Sequence, residues 1–538
     1  MEYLVTSAEM KQYDQNCMEK LGMGAMVLME RAALETFYAI KEKGLVIAGK
    51  KALILAGYGN NGGDGLALAR LLIDAGMDPF VWLVGEEAKA TVQWKEQKKI
   101  LDAAYSVRFG KNPEDAAYTV IIDALFGVGL SGDLEGPWAK AIDQANAMDG
   151  YKVAMDLPSG ISADSGAVLG HAFRADLTVT YGFRKLGLFL YPGKEYAGEV
   201  RLAPVGITER SFFGKEPERF TLTQPLQSLL PVRAPDGNKG TFGKALIIAG
   251  SVGVSGAASL CARACFRMGA GMVKILTVPE NRAILQENLP EAMVGSCLDE
   301  EEVKISLSWC SVICIGPGIG QTKESLAALR EVLTAPEGAK KPLVMDADAL
   351  NLLGGCEELR DVVKTGGKHG RVMVLTPHPG EMRRLIRAID PEEANLSAKE
   401  FAAKLPELGK RLSKEWNVIT VAKDAVTSVS CQGKPTYVNL SGCSAMATAG
   451  SGDVLAGIIT AFLCQTRRET FPEVTAPASG EEEAFRKAFF EVVCRAVRVH
   501  GLLGEEAAGR SPYGEHGVMA GDLIFEDDLT KLTKLWRL

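Results

Sequence analysis

Ala52-Leu53-Ile54-Leu55-Ala56-Gly57-Tyr58-Gly59-Asn60-Asn61-Gly62-Gly63-Asp64-Gly65 decides the fold class. Five apolar residues make a buried strand. A Gly-rich loop turns the chain, and residues 66–75 read as a helix. The pattern repeats outward. Residues 79–84 form the next strand. Val120-Ile121-Ile122 and Val153-Ala154-Met155 are further apolar runs, each followed by an Asp. Such alternation predicts a parallel sheet covered by helices on both faces. Upstream, Thr6 and Glu9 make a capping box that opens a first helix. A second helix spans residues 25–43 and stops at Gly44.

The alternation fades near Phe212. Residues 214–236, rich in Pro, Gln and charge, read as a linker. A second alternation starts at Lys244, with strands at residues 245–249, 312–315, 343–345, 372–375 and 418–421. Two domains are therefore predicted, residues 1–215 and 225–538, as the length of 538 residues also requires. Residues 466–483, with Pro472, Pro477 and Glu481-Glu482-Glu483, read as a surface insertion. No internal repeat or low-complexity tract is found.

Composition narrows the function. Hydrophobic residues make up 47% and charged residues 24%, as in globular domains. A net charge of -7 disfavours nucleic-acid and anionic-membrane surfaces. The 11 cysteines include no Cys-x-x-Cys pair, and Cys261 and Cys265 share one helix face, as core residues do. With five histidines and no zinc spacing, a reducing cytoplasm is the expected compartment. The start, Met1-Glu2-Tyr3-Leu4, shows no signal peptide, and the apolar run Leu455 to Cys464 is too short to span a bilayer.

Two groups of motifs carry chemistry. In the first half, Gly57 to Gly65 contains Gly-x-Gly-x-x-Gly, so a dinucleotide phosphate loop with Glu86 as its ribose acid is one reading. Asn60, Asn61 and Asp64 are more polar than such a turn requires. Asp123 and Asp156-Leu157-Pro158-Ser159-Gly160 follow other strands. Asn61, Asp123 and Ser159 could gather a hard cation through oxygen; alternatively, Asp123 and Asp156 only cap loops. In the second half, Ala447-Thr448-Ala449-Gly450-Ser451-Gly452-Asp453 precedes an apolar helix. The glycines admit an anion to the helix N-terminus, and Asp453 is placed as a base. The plainer alternative is an N-cap. Lys239-Gly240, Gly316-Pro317-Gly318-x-Gly320, Asp346-Ala347-Asp348 and Thr376-Pro377-His378 come before it in order. None of these is a P-loop.

Together the first-half motifs resemble the epimerase domain of the NAD(P)H-hydrate repair enzymes, across about residues 1–215. Ala175-Asp176, Lys185-x-Gly187 and Pro192-Gly193 also match. The resemblance implies a Rossmann-like three-layer α/β domain that interconverts the R and S hydrates of NADH and NADPH. It implies K+ at Asn61, Asp123 and Ser159. It implies substrate contacts from Asn60, Asn61, Gly62, Gly63, Asp64, Gly127, Val128, Gly129, Leu130, Ser131, Gly132, Asp133 and Asp156, with Asp156 as the acid–base group to test.

The second half resembles the ribokinase-like α/β fold, and specifically the ADP- or ATP-dependent NAD(P)H-hydrate dehydratase domain. This implies hydrate contacts from Ala257, Gly318, Gly320, His378 and the base Asp453. It implies nucleotide contacts from Lys423, Asp424, Ala425, Val426, Thr427, Gly450, Ser451 and Gly452, with Mg2+ accompanying ADP or ATP. A homo-oligomer is the expected assembly. Three features depart from the family pattern: Lys423-Asp424 for Lys-Gly, Gly442-Cys443-Ser444-Ala445 for Gly-Asn-Pro-Gly, and Gly504-Glu505 for Gly-Asp. Two other functions stay open at this point. One is a small-alcohol kinase of the hydroxymethylpyrimidine type. In the other, the first half only binds a nucleotide and regulates the second.

Overall fold

The computed structural model describes residues 1–470 and 482–524. The chain divides into two compact units, Glu2–Arg219 and a second beginning at Phe220. Residues 214–236 are not a bare linker: they carry a strand at Arg219–Thr221 and a short helix at Leu226–Leu229. Most of the insertion expected at 466–483, including Pro472, Pro477 and Glu481, lies outside the described residues. Its flanks are helical, within Ser451–Thr470 and Glu482–Arg510.

The first unit is built on a 7-stranded sheet. Its order is Arg108–Gly110, Asp78–Leu83, Lys51–Ala56, Val120–Ala124, Tyr151–Met155, Leu177–Tyr181, Glu199–Ala203, with every neighbouring pair parallel. Ala52, Ile54 and Ala56 enter one core, while Leu53 and Leu55 enter the core on the opposite face. Burial on both faces is why these strands read as unbroken apolar runs. The strand order reverses between Lys51–Ala56 and Val120–Ala124. A crevice opens at the carboxyl ends of such a pair.

The Gly-rich stretch after Lys51–Ala56 departs from the expected loop. The helix there spans Asn60–Asp74 and contains most of it. Glycine is demanded by contact: a Cβ on Gly62 would lie 1.8 Å from the Gly57 carbonyl oxygen. One on Gly65 would lie 2.7 Å from Ala124 Cβ. The glycines let a helix begin flush against two strand ends. The capping box at the first helix, Ser7–Glu19, is present: Glu9 N donates to Thr6 Oγ1 at 3.3 Å, and Thr6 N donates to the Glu9 carboxylate at 2.7 Å.

In the second unit the strands run in the order Met293–Ser296, Met272–Thr277, Lys244–Ile248, Val312–Ile315, Leu343–Met345, Met373–Leu375, Ile419–Ala422, all parallel. Ser428–Ser430 and Thr436–Val438 then continue antiparallel. The order reverses between Lys244–Ile248 and Val312–Ile315, so again the crevice lies where Gly-rich loops leave a strand pair. Helix Ser451–Thr470 packs tightly on helix Ser255–Arg267, where a Cβ on Gly457 would lie 2.2 Å from the Cys261 carbonyl oxygen. Cys261 and Cys265 are buried there as core thiols.

Phe220 is buried against Tyr437 and Phe490, with ring centroids 5.6 and 6.2 Å apart. A fragment starting at Gln224 would leave that pocket empty. A fragment starting at Glu218 is therefore expected to be more stable by about 3 kcal/mol, the scale of a large-to-small core truncation. Urea unfolding of the two fragments checks this; equal midpoints would show that Phe220 adds nothing.

Candidate active sites

The first crevice holds a cavity of about 220 Å³ lined by Asp14, Asn60, Asp64, Asp156, Tyr181 and Lys185 among others. Asp156 stands just past Tyr151–Met155 with φ 69, a left-handed backbone that orients its side chain into the crevice at some conformational cost. Its carboxylate takes Lys185 Nζ at 2.5 Å and the amides of Tyr181 at 3.3 Å and Val128 at 3.4 Å. Lys185 is buried and also donates to the Tyr181 carbonyl at 2.6 Å. Buried Tyr181 shares a 2.7 Å bond with Thr36, whose hydroxyl also donates to the Ala32 carbonyl, so the phenol is the donor.

Of the expected substrate contacts, Asn60, Asp64, Val128 and Asp156 line the cavity. Gly127 lies against Asp156, where a Cβ would meet Oδ2 at 2.8 Å. Gly62 and Gly63 are buried inside the helix start, and the Gly63 amide is already bonded to the Gly59 carbonyl. Gly129, Ser131, Gly132 and Asp133 are exposed and outside the cavity lining, as is partly buried Leu130. Glu86 pairs with Lys89 at the surface and is not among the residues that line the cavity.

Asp123 is fully buried within Val120–Ala124, between the two strands that carry Asn61 and Ser159 at their ends. Its carboxylate accepts from Ser159 N and Ser159 Oγ, each at 2.7 Å, and from Leu125 N at 3.1 Å. Burial pushes its pKa up to about 6 against those bonds. Asn61 donates to the Met155 carbonyl at 3.2 Å, while its own carbonyl oxygen is buried without a partner. An unpartnered buried amide oxygen, a buried carboxylate and a hydroxyl are oxygen donors of the kind that suit a large monovalent cation.

The second crevice gathers Asp453, Asp346, Lys423, Glu381 and His378. Asp346 is buried at the end of Leu343–Met345 and receives Lys423 Nζ at 2.6 Å and Thr376 Oγ1 at 2.7 Å. Burial alone would discharge the Lys423 ammonium, but Asp346 and Glu381 outweigh it and hold its pKa above the usual value. A Cβ on Gly452 would lie 3.3 Å from Lys423 Nζ and 3.8 Å from Asp346 Oδ2. Asp453, on the first turn of Ser451–Thr470, thus stands beside this pair. Burial first and the charge of Asp346 second raise its carboxyl to about 6, with Lys423 opposing.

In the same unit, Gly318 closes on Ala257, whose Cβ would lie 2.9 Å from one built on the glycine. The Gly320 amide is held by Asp348 at 2.9 Å. His378 caps helix Pro379–Ile386: its Nδ1 accepts from Gly380 N, and its Nε2 lies 3.2 Å from buried Glu381, leaving one ring edge exposed. Sequence inspection missed His500. Its imidazole is buried, held neutral with a pKa pushed down to about 4, and lies 3.3 Å from Ser451 Oγ in the anion hole. Among the described residues no cluster of His, Cys, Asp and Glu suits a metal ion, and no helix is long and apolar enough to cross a membrane.

Comparison with known proteins gives the context of both crevices. Residues 25–187 match the family described as YjeF-related protein N-terminus, and residues 245–524 match NAD(P)H-hydrate dehydratase. The bifunctional NAD(P)H-hydrate repair enzyme of Moorella thermoacetica is 32% identical over 97% of this chain and 95% of its own length. The chain belongs to the bifunctional NAD(P)H-hydrate repair enzyme family. The enzyme of the same name from Thermofilum pendens is 34% identical over 93% of this chain and 91% of its own. Among solved structures, the ADP/ATP-dependent NAD(P)H-hydrate dehydratase of Bacillus subtilis, co-crystallised with ATP/Mg2+, is 26% identical. It covers 58% of this chain and 95% of its own, with a TM-score of 0.42.

In this repair enzyme, the loop Lys423 to Thr427 follows the strand Ile419–Ala422. The Lys423 ammonium is turned inward onto Asp346, beside Gly452. Asp424, the departure beside it, is exposed, and its carboxylate accepts from the adjacent Ala425 amide at 2.8 Å. Ala425, Val426 and Thr427 complete the turn into Ser428–Ser430. The two other departures touch each other. Gly442 N donates to the Glu505 carboxylate at 2.8 Å, and Cys443 Sγ lies 3.6 Å from the Gly504 carbonyl. Ser444 N adds a bond to Glu515 at 3.1 Å.

Proposed function

We infer that the two units divide one repair task. The first epimerises hydrated NADH and NADPH, and the second dehydrates the S hydrate with ADP or ATP. The observation that carries the second activity is Asp453 at the Gly450-to-Gly452 helix start, its carboxyl lifted to about 6 beside the Lys423–Asp346 pair. The hydrate carries a hydroxyl on the carbon next to the ring nitrogen, and hydroxide is a poor leaving group. Asp453 removes the hydroxyl proton as the oxygen attacks the terminal phosphorus of the nucleotide; the bridging P–O bond breaks and the nucleotide leaves with one phosphate fewer. The free amides at the start of Ser451–Thr470 offset the charge of the transferred group. The ring nitrogen then expels phosphate, a neighbouring C–H proton is lost, and the dihydropyridine is restored. Mg2+ bound with the nucleotide phosphates would neutralise part of their charge.

In the first unit, Asn61, Asp123 and Ser159 hold K+, and the cavity over Asp156 and Lys185 takes the nicotinamide hydrate. The kinase alternative predicts a stable phosphorylated product; here the phosphorylated hydroxyl is on a carbon that can eject it. The test is to incubate the protein with mixed hydrates and ADP or ATP and follow dihydronicotinamide absorbance. Full recovery from both epimers is the expected result. A phosphorylated product that persists with no absorbance gain would replace dehydration with simple kinase activity.

A further inference from the structure

We propose that Asp14 and Asp64, rather than Asp156, transfer the protons of epimerisation. This rests on the first unit being the epimerase. All three carboxylates line the same cavity, but they are held differently. Asp156 is held by the Lys185 ammonium and two amides. Protonating it would break the ion pair and leave Lys185, itself buried, uncompensated. Among the described residues neither Asp14 nor Asp64 has a hydrogen bond that would hold its carboxylate ionised. Burial, followed by the charge of Asp156, pushes both carboxyls up, Asp64 well above its ordinary value. Lys185 opposes this at Asp14. Each of the two can therefore carry a proton and give it up again.

They also come from separate elements: Asp14 from Ser7–Glu19 and Asp64 from Asn60–Asp74. Inverting the hydroxyl-bearing carbon requires an acid and a base. The acid protonates the hydroxyl, the C–O bond breaks, and the ring nitrogen lone pair forms a C=N bond. Water then adds to the opposite face and loses a proton to the base. One proton enters and one leaves, with no redox change. Two carboxyls sharing one proton exchange roles in the reverse direction, as a reversible epimerisation requires. Asp156 is instead a positioning residue that keeps the Lys185 ammonium fixed in the cavity wall. Asp14 lies outside every Gly-rich motif, and nothing in its sequence context marks it.

The test compares Asp14→Asn, Asp64→Asn and Asp156→Asn in the full chain. Consumption of R hydrate is followed with ADP or ATP present, and dehydration of pure S hydrate serves as the internal control. The Asp14 and Asp64 variants are expected to lose on the order of a hundredfold in epimerase kcat, with KM little changed and S-hydrate dehydration intact. Their melting temperature should hold or rise, because Asn removes a charge that burial disfavours. Asp156→Asn should lower melting temperature and raise KM by freeing Lys185. The proposal is overturned if either Asp14 or Asp64 variant epimerises at the wild-type rate, or if its loss lies only in KM or comes with a lower melting temperature. A wild-type protein that dehydrates S hydrate but never consumes R hydrate would instead remove the epimerase assignment itself.

Discussion

Asp453→Asn is expected to lower dehydration on the order of a hundredfold or more and to leave epimerisation intact. Asn keeps the shape and the helix-start position but cannot accept the hydroxyl proton. The loss should lie in kcat, since the amides that meet the phosphate are unchanged. The pH profile carries the same information. Asp453 acts as a base only when ionised, and its carboxyl is lifted to about 6. Dehydration should be flat above that value and fall about tenfold per pH unit below it. The stability sign is opposite: a raised carboxyl means that the fold disfavours the ionised form, so at pH 8 the Asn variant should melt no lower than wild type. Kinetics with pure S hydrate and saturating nucleotide check this. Dehydration near the wild-type rate would take Asp453 out of the mechanism.

Much of the architecture could be read from sequence because buried parallel strands leave a plain trace. Residues 52–56, 120–122 and 245–249 are unbroken apolar runs, and each falls on a strand, the last ending one residue early at Ile248. Asp123, Asp156, Asp346 and Asp453 were findable because each follows such a run or a Gly-rich helix start. The helix that absorbs Asn60 to Gly65 was not legible. Its glycines answer to the Gly57 carbonyl and Ala124, contacts that no local pattern encodes.

The direction of Lys423 was hidden for a related reason. A lysine after a strand reads as solvent-facing until a buried Asp346 is found 2.6 Å away, far off in sequence. Asp14 and His500 sit in ordinary amphipathic helices, and only tertiary packing brings them to a site. The coupling of Gly442 to Glu505 is similar: each looks like a separate departure, and together they form one hydrogen-bonded corner.

Asp123→Ala should stall repair of a racemic hydrate mixture with the R hydrate left over. Asp123 is fully buried, and its carboxylate orders Ser159 through two 2.7 Å bonds and Leu125 through a third. Removing it takes away the one charge among the three proposed K+ ligands and frees the loop that carries Ser159. Epimerase activity should fall on the order of a hundredfold, as when a preorganised charge is lost from a site. Nucleotide-dependent dehydration of S hydrate should continue, because it belongs to the other unit. A fold effect has to be separated from a cation effect. The protein without K+ should melt lower than the protein with it, and in Asp123→Ala that difference should vanish. Dehydration progress curves then decide the matter: wild type runs to completion, and the variant stops near half, drifting only at the spontaneous rate. If the variant consumes both hydrates as fast as wild type, with spontaneous epimerisation shown to be slow, Asp123 is a loop cap and binds no cation.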